Sequence, residues 1–367
     1  AWLKISEGCN RNCTFCIIPT LRGRLRSRSV ESLVAEATTL AGTGVRELNL
    51  ISQDLSDYGV DLDDKNNLFE LISGLDEVEG IDWVRLFYFY PDELTDEVIK
   101  LKMSSLPTTL NVRFTPEIGN MIRKYLYYNR SFLVRMLTKS QYYFPLYEIE
   151  LDKRNMPLEL KYVSVIESHL NPEARSPMGA TGLWQFMYAT AKYKGMNITT
   201  LEDPRKDPLI STQYAADYLL QLYNIYNDWL LAISAYNAGA GNINKAIRAA
   251  NGVKNYWVAR PFMPRETQQY VPKIIAIMYA MHYANEYMLF AERPDYSYYD
   301  IQTVKIYDKI SLKYASELLG MQEEELFALN PVLSKKITPL RDSGYPLNIP
   351  ASRNLQFLEN QGFFYED

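Results

Sequence analysis

Histidine and cysteine are scarce in this chain. The 367 residues include two histidines and three cysteines, and all three cysteines fall within one stretch of ten residues. An odd number of clustered thiols argues against a disulfide framework and suits a metal site in a reducing compartment better. With only His169 and His282 available, we expect both histidines to be ordinary packed or solvated residues rather than catalysts.

Charge of one sign and long apolar runs are also missing. The net charge is −5 with both signs interspersed, so the basic field of nucleic-acid binders is absent and no nucleic-acid partner is expected. No run approaches the roughly 20 apolar residues of a membrane helix, and no export signal is visible in the first twenty residues. The sequence gives no indication of oligomeric state. Tyrosine, by contrast, is abundant, with 29 copies whose flat rings can stack on sugars.

Short apolar runs alternate with amphipathic stretches over the first hundred residues. This alternation predicts three β/α units of a parallel sheet. The predicted strands are WLKISEG, ELNLISQDL and WVRLFYFY; the predicted helices are SVESLVAEATTLAGTG, NLFELISGL and TDEVIKLKM, the last capped by Thr95. From residue 104 to about residue 290 the patterns are helical, and from TVKIY to YPLNIP they read strand, helix, helix, strand.

The predicted fold class is therefore multidomain, as the length of the chain allows. We predict a partial β/α, TIM-barrel-like fragment at residues 1–103, a mainly α domain at 104–294 and a small β-α-α-β module at 295–367. The change of pattern near residues 102 to 105 is abrupt. It indicates a joined chain, and the sequence does not reveal the origin of the junction.

The stretch EGCNRNCTFC places three thiols at a C-x3-C-x2-C spacing. Three such thiolates can hold three corners of an iron–sulfur cube, although loop cysteines can also bind zinc or simply pack. With IIPTLRGRLRSR and LISQDLSDYG, this stretch resembles the radical S-adenosylmethionine enzymes, specifically the methylthiotransferases that modify a ribosomal protein or transfer RNA. The resemblance implies that Cys9, Cys13 and Cys16 hold a 4Fe–4S cluster and that Phe15 lies near the adenine of S-adenosylmethionine.

Three units are fewer than that family's barrel requires, and an interrupted sheet leaves its pocket incomplete. We therefore expect reduced thiols and an inactive fragment, with an assembled cluster as the open alternative. A basic run in the same region is expected to be a solvated face; it consists of Arg22, Arg24, Arg26 and Arg28.

A second set of motifs consists of four segments in this order: SVIESHLNP, GATGLWQF, AYNAGAGN and ETQQYVPKI. Glu167 follows two apolar residues near the end of a helix that Asn171 and Pro172 terminate. Desolvation there would raise the pKa of its carboxyl and allow general acid catalysis near neutrality. Gln185 offers an amide to a sugar, and the hydroxyl of Tyr270 could point at Glu167.

In this order, the four segments resemble the lytic transglycosylases of lysozyme-like fold, the membrane-bound D type most closely. The resemblance implies cleavage of the β-1,4 bond between N-acetylmuramic acid and N-acetylglucosamine in peptidoglycan, with Glu167 as acid and then base. The implied substrate-binding residues are Ser168, Gln185, Tyr236, Asn237 and Tyr270. Four aromatic residues are either further sugar-stacking groups or core: Trp184, Tyr188, Trp229 and Tyr256.

A hydrolase of the usual mechanism needs a second carboxylate near the scissile bond. The nearby candidates occur where capping or solvation explains them: Glu173, Asp203, Asp207 and Asp217. This favours the non-hydrolytic route, in which the substrate's acetamido group assists and the sugar closes as an anhydro end.

The C-terminal strand–helix–helix–strand pattern resembles a degenerate LysM module, a family that binds N-acetylglucosamine chains. Its first turn reads YDKIS where that family shows a GDTLS-like turn, so a packing domain without a ligand is an equal alternative. Three functions compete: a transglycosylase, a radical S-adenosylmethionine methylthiotransferase, and a cell-wall binder without catalysis. The first acts in the periplasm or cell envelope and the second in the cytoplasm.

Overall fold

The computed structural model describes residues 1–10, 16–62, 67–87 and 94–364. The chain divides into two compact units. Unit 1 comprises Ala1–Leu106 and Arg113–Tyr128, and unit 2 comprises Pro107–Val112 and Asn129–Asp367. The predicted domain boundaries at residues 103 and 294 stay predictions.

Unit 1 contains a parallel three-stranded sheet. Its strands are β1 (Trp2–Lys4), β4 (Glu47–Ile51) and β5 (Trp83–Leu86), with β4 in the centre. Two shorter strands, β2 (Ser6–Glu7) and β3 (Arg26–Ser27), form a separate antiparallel ribbon. The single strand predicted for WLKISEG is therefore two strands, because the chain leaves the sheet at Ile5 to pair with β3. The last residues of WVRLFYFY lie outside the described residues.

Three helices in the described part of unit 1 follow the strands as predicted, whereas the first and the last of those named next were not predicted in this region. The helices are α1 (Ile18–Arg22), α2 (Val30–Gly42), α3 (Leu68–Asp76), α4 (Asp96–Ser104) and α5 (Pro116–Arg123), the last continued by a π-helical segment at Lys124–Tyr128. The side chain of Thr95 caps α4 by accepting a hydrogen bond from the amide of Val98, as predicted. One face of the sheet packs on α2 and α3, where Leu33 and Leu71 are fully buried with Leu48.

Unit 2 is mainly helical up to residue 290. Its helices are α6 (Arg130–Asp152), α7 (Lys161–Ser168), α8 (Tyr188–Tyr193), α9 (Pro208–Tyr226), α10 (Trp229–Ala238), α11 (Ala240–Ala249), α12 (Tyr256–Ala259) and α13 (Arg265–His282). Helix α10 is the apolar centre, and both α9 and α13 pack against it. Helix α13 also contacts α7, which brings two of the predicted motifs together. None of the helices in the described ranges has the length and apolar character to cross a membrane.

Residues 301–364 form the C-terminal module of unit 2. It contains β6 (Ile301–Ile306), α14 (Leu312–Leu319), α15 (Glu323–Leu329), β7 (Tyr345–Pro350) and α16 (Asn354–Glu359). Strands β6 and β7 pair antiparallel. The predicted β-α-α-β order is confirmed, and with it the multidomain fold class. Helix α16 was not predicted; its Phe357 packs into the core of the module.

Candidate active site

Glu167 lies in the last turn of α7. The helix ends because His169 and Leu170 adopt a left-handed conformation, with φ of 55° and 51°, just before the predicted terminators Asn171 and Pro172. The hydroxyl of Tyr270, on α13, donates a hydrogen bond to Oε1 of Glu167. The predicted contact between these two side chains, 103 positions apart, is therefore present.

The environment of Glu167 favours its protonated form. Burial raises the pKa of the Glu167 carboxyl to about 7, the hydrogen bond from Tyr270 opposes this rise, and the negative charge of Glu266 adds to it. A carboxyl with this pKa holds a proton for part of the time at neutral pH and can act as acid or base.

Residues 182–186, the GLWQF loop, lie beside the helix that carries Glu167. The carbonyl of Leu183 accepts hydrogen bonds from two buried serines of α7, from Ser164 at 2.9 Å and from Ser168 at 2.8 Å. The carbonyl of Trp184 accepts one from the hydroxyl of Tyr236, at 2.7 Å. The hydroxyls of Ser168 and Tyr236, predicted to bind substrate, thus fix this loop.

Gln185 has a left-handed backbone, with φ of 49°. Its amide nitrogen donates to the carbonyls of Ala174, at 3.1 Å, and Gly182, at 2.9 Å. The donors of this amide are therefore used by backbone carbonyls of the chain itself, which leaves the amide oxygen for a ligand. Gly182 is required here, because a Cβ at this position would lie 1.8 Å from the carbonyl oxygen of Arg205.

Asn237, near the end of α10, is held by a residue that the sequence did not suggest. The buried hydroxyl of Thr267 donates to Oδ1 of Asn237, at 2.8 Å. This bond fixes the orientation of the amide and leaves its nitrogen as the donor for a ligand.

The four carboxylates considered as a second catalytic group have other partners. Glu173 pairs with Lys206 at 2.8 Å and Asp217 with Arg154 at 2.6 Å. Asp203 pairs with Arg205 at 2.7 Å. Asp207 caps α9 by accepting from the amide of Ile210, and burial raises its pKa. Capping, as predicted, explains Asp207, and ion pairs rather than solvation alone explain the other three.

Two of the four candidate sugar-stacking aromatics are core residues. Trp184 and Tyr256 are fully buried, and the indole nitrogen of Trp184 donates to Thr212; of the two alternatives given for these residues, core holds for both. Trp229 stacks on Tyr223 with 4.0 Å between ring centroids. Tyr188 is 53% exposed and remains available.

Glu266 is the charged neighbour of Glu167 that sequence reasoning missed. It lies in the first turn of α13, four positions before Tyr270. Residues four apart share one face of a helix, so this spacing was a usable signal. Both histidines are exposed at the surface, where the ring of His169 contacts Phe132 and that of His282 contacts Tyr283.

The predicted cluster ligands lie in unit 1. Cys9 is buried and its amide donates to the carbonyl of Gly23 at 3.1 Å, whereas Cys16 is exposed. Cys13 and Phe15 lie outside the described residues. Within the described ranges, no three histidine, cysteine or acidic side chains come together as a metal site. We assign no chemical step to a cluster.

Side chains of the basic run lie at the surface or in surface ion pairs. Arg22 pairs with Glu7 at 3.0 Å and Arg28 with Glu36 at 2.7 Å. Arg24 and Arg26 are exposed.

Three family models match separate parts of the chain. Residues 3–127 match the Radical SAM superfamily, residues 146–257 the Transglycosylase SLT domain, and residues 300–365 the LysM-like domain of lytic transglycosylase MltD. The chain therefore combines three regions of different ancestry, as predicted from its motifs.

Relatives of the first region are ribosomal protein uS12 methylthiotransferases RimO. The protein from Clostridium novyi is 52% identical over 100 residues, which are 27% of this chain and 22% of the relative. The protein from Trichlorobacter lovleyi is 55% identical over 101 residues, 28% of this chain and 22% of the relative. The chain thus spans about a fifth of the length of these relatives.

Solved structures similar to this chain include an inactive mutant of the lytic transglycosylase Slt from Pseudomonas aeruginosa. It is 24% identical with a TM-score of 0.33, over 41% of this chain and 26% of that one. The 70 kDa soluble lytic transglycosylase of Escherichia coli is 21% identical with a TM-score of 0.35, over 53% of this chain and 35% of that one. Both scores are too low to add to the fold described above.

Proposed function

We propose that this protein is a peptidoglycan lytic transglycosylase. It would cleave the β-1,4 bond between N-acetylmuramic acid and N-acetylglucosamine without water and leave 1,6-anhydromuramoyl ends. The observation that carries the proposal is the carboxyl of Glu167, which accepts a hydrogen bond from Tyr270 and has its pKa raised to about 7 by burial. The match of residues 146–257 to the Transglycosylase SLT domain supports it.

Glu167 acts first as the general acid. Its proton passes to the glycosidic oxygen, and the bond from that oxygen to the anomeric carbon of the muramic acid breaks. The carbonyl oxygen of the substrate's own acetamido group bonds to the anomeric carbon and compensates its developing positive charge. The leaving sugar departs with a free hydroxyl, and Glu167 is left as a carboxylate.

The same carboxylate then acts as the base. It takes the proton from the 6-hydroxyl of the muramic acid, whose oxygen attacks the anomeric carbon and displaces the acetamido oxygen. The sugar closes as an anhydro ring, and Glu167 is protonated again for the next turnover. One carboxyl whose pKa lies near the working pH is suited to both steps.

The other partners of the four acids considered as a second carboxylate support this route over hydrolysis. Among the described residues, the four acids considered above are used in ion pairs or as a helix cap. Glu266 is exposed and affects Glu167 through its charge. We assign it an electrostatic role and no covalent one.

The substrate's acetamido group would be held by two fixed amides, through the nitrogen of Asn237 and the oxygen of Gln185. Ser168 and Tyr236 would support this site by fixing the loop, and Tyr270 would orient the acid. The partner of this chain is then the peptidoglycan glycan strand, and the periplasm or cell envelope is where it would act. For the C-terminal module, both alternatives stay open: it would bind glycan, or it would serve only as a packing domain.

The test of this proposal is the chemistry of the product ends. Purified sacculi are digested with the whole chain, and the released muropeptides are identified by mass spectrometry. We expect 1,6-anhydromuramoyl ends, which are lighter by one water than hydrolysed ends. Reducing muramic acid ends would contradict the proposal.

A second candidate function belongs to unit 1, because residues 3–127 match the Radical SAM superfamily. The resemblance to that superfamily implies a 4Fe–4S cluster on Cys9, Cys13 and Cys16, with S-adenosylmethionine near Phe15. We infer that this region does not carry out methylthiotransfer on its own, since the sheet in its described part has three strands. The test is reconstitution of the cluster, described in the Discussion.

A further inference from the structure

The C-terminal module is joined to the helical part of unit 2 through residues 201–206, the junction segment. The amide of Asp203 donates to the carbonyl of Val332 at 2.9 Å, and the amide of Ser334 donates to the carbonyl of Leu201 at 2.7 Å. These two bonds attach the junction segment to the chain that follows α15. Because both bonds join backbone groups, they fix the position of the junction segment along the chain that follows α15.

An ion pair reinforces the same junction. Nη2 of Arg341 donates to both carboxylate oxygens of Glu202, at 2.6 and 2.7 Å. The neighbouring Leu333 is completely buried and pairs with Glu202 as an isolated β-bridge. The module therefore holds two consecutive residues of the junction segment, one by its side chain and the next by its backbone.

The junction segment continues to the candidate active site through Arg205. Its guanidinium donates to both carboxylate oxygens of Asp203, from Nε at 2.9 Å and from Nη2 at 2.7 Å. Its Nη1 donates to the carbonyls of Phe186, at 3.2 Å, and Gly179, at 3.3 Å. Both Arg205 and Asp203 are buried, so the pair must stay formed to avoid leaving an unpaired buried charge.

The two carbonyls that Arg205 holds lie on either side of Gln185, which we propose as a substrate-binding residue. Phe186 follows Gln185 directly, and Gly182, in the same loop, packs against the carbonyl of Arg205. The other side of this loop is fixed to α7 through Ser168, the neighbour of Glu167. The GLWQF loop is therefore held from both sides, by the acid's own helix and by Arg205.

We propose that Arg205 is a positioning residue through which the C-terminal module sets the geometry of the substrate-binding loop. The module fixes Glu202 and Asp203, Asp203 fixes the guanidinium, and the guanidinium fixes the loop around Gln185. The planar fork of arginine suits this role, because it can bind a carboxylate with two nitrogens and still donate from the third. The catalytic consequence rests on the proposed transglycosylase function, whereas the mechanical link does not.

Hydrogen exchange tests the mechanical link without any activity. Arg341→Gln in the whole chain removes the ion pair to Glu202 across the junction. Lys336→Gln is the matched control, because Lys336 is equally exposed and pairs with Glu323 inside the module. We expect amide exchange in residues 179–186 to become about fivefold faster in Arg341→Gln and to stay at the native rate in the control. Native exchange in both variants, or an equal increase throughout unit 2, would overturn the proposal.

Kinetics on glycan strands test the consequence for the site. Arg205→Lys keeps the charge beside Asp203 but removes the donors to Gly179 and Phe186. Arg154→Lys is the control, since Arg154 also bridges two acids, Glu150 and Asp217, but does not donate to this loop. We expect KM to rise about tenfold in Arg205→Lys, with the basic limb of the pH profile still near the pKa of Glu167.

Equal KM values for Arg205→Lys and Arg154→Lys would contradict the positioning role. If the native chain itself released no anhydro products, the proposed function would fail, and the exchange experiment would still decide the link between module and loop. The two failures are thus distinguishable.

Discussion

Two residues shift the pKa of Glu167 in opposite directions. The hydrogen bond from Tyr270 lowers the pKa, and the negative charge of Glu266 raises it, while burial provides the largest contribution. Since the first chemical step needs the protonated acid, the rate should fall as the pH rises through this pKa. The two neighbours therefore offer a matched pair of variants.

Tyr270→Phe should move the basic limb of kcat/KM to higher pH, because it removes the bond that stabilises the carboxylate. Glu266→Gln should move the same limb to lower pH, because it removes a like charge. We also expect kcat to fall about tenfold in Tyr270→Phe, since the acid loses its orientation. Shifts in the same direction for both variants, in pH profiles on soluble glycan strands, would contradict this account of the site.

Burial of Glu167 also costs stability at neutral and higher pH. The folded-state pKa is raised from 4.5 to about 7, so the folded chain holds this proton more tightly than the unfolded chain. The stability that this proton contributes is present below about pH 4.5 and is lost as the pH rises to about 7.

Glu167→Gln should therefore be more stable than the native chain at pH 8, by up to about 3 kcal/mol. The difference should shrink toward pH 4.5. Urea unfolding at both pH values measures it. A variant that is less stable than the native chain at pH 8, by a similar amount at both pH values, would show that the carboxyl is not desolvated.

At the scale of elements, the sequence predicted the helices and strands well because the local signals are strong. Alternating apolar residues and the Thr95 cap identified the units of the sheet. The contact between Tyr270 and Glu167 was predicted although the two residues are 103 positions apart. The sequence left both sugar stacking and core packing open for Trp184 and Tyr256, and it did not predict the loop-holding roles of Ser168 and Tyr236, because these outcomes depend on which helices pack together.

At this scale we make a prediction from the two hydrogen bonds that Ser164 and Ser168 of α7 donate to the carbonyl of Leu183. Ser168→Ala should cost about 1 kcal/mol of unfolding free energy and lower kcat/KM several-fold, because the loop loses one of its two bonds to the helix. Ser234→Ala is the control, since the buried hydroxyl of Ser234 donates within its own helix, to the carbonyl of Leu230. Equal losses of kcat/KM in the two variants would argue against a role for Ser168 in placing the loop.

At the scale of the whole molecule, the chain joins regions of different ancestry. The motif around Cys9 indicates the ancestry of unit 1, and the motifs around Glu167 indicate a cell-wall enzyme in unit 2. The sequence identified both, because each motif is short and local. It could not indicate the junction that Arg341 and Glu202 make, since these residues are 139 positions apart and belong to no shared motif.

Anaerobic reconstitution of the whole chain with iron and sulfide tests the inference about unit 1. We expect no stable iron–sulfur absorbance and thiols that remain free to react with a thiol reagent. Cys13→Ala is the control and should give the same spectrum as the native chain. A cluster that forms in the native chain, is lost in Cys13→Ala and cleaves S-adenosylmethionine would contradict this expectation.

Release of anhydro-muropeptides by the native chain and by Glu167→Gln is the most direct test of the central claim. Glu173→Gln is the control, because Glu173 is an exposed acid nearby that pairs with Lys206. The account predicts that Glu167→Gln lowers the rate of release by about 10²- to 10⁴-fold and that Glu173→Gln retains most of it. Undiminished release by Glu167→Gln would show that another group is the acid and would contradict the account.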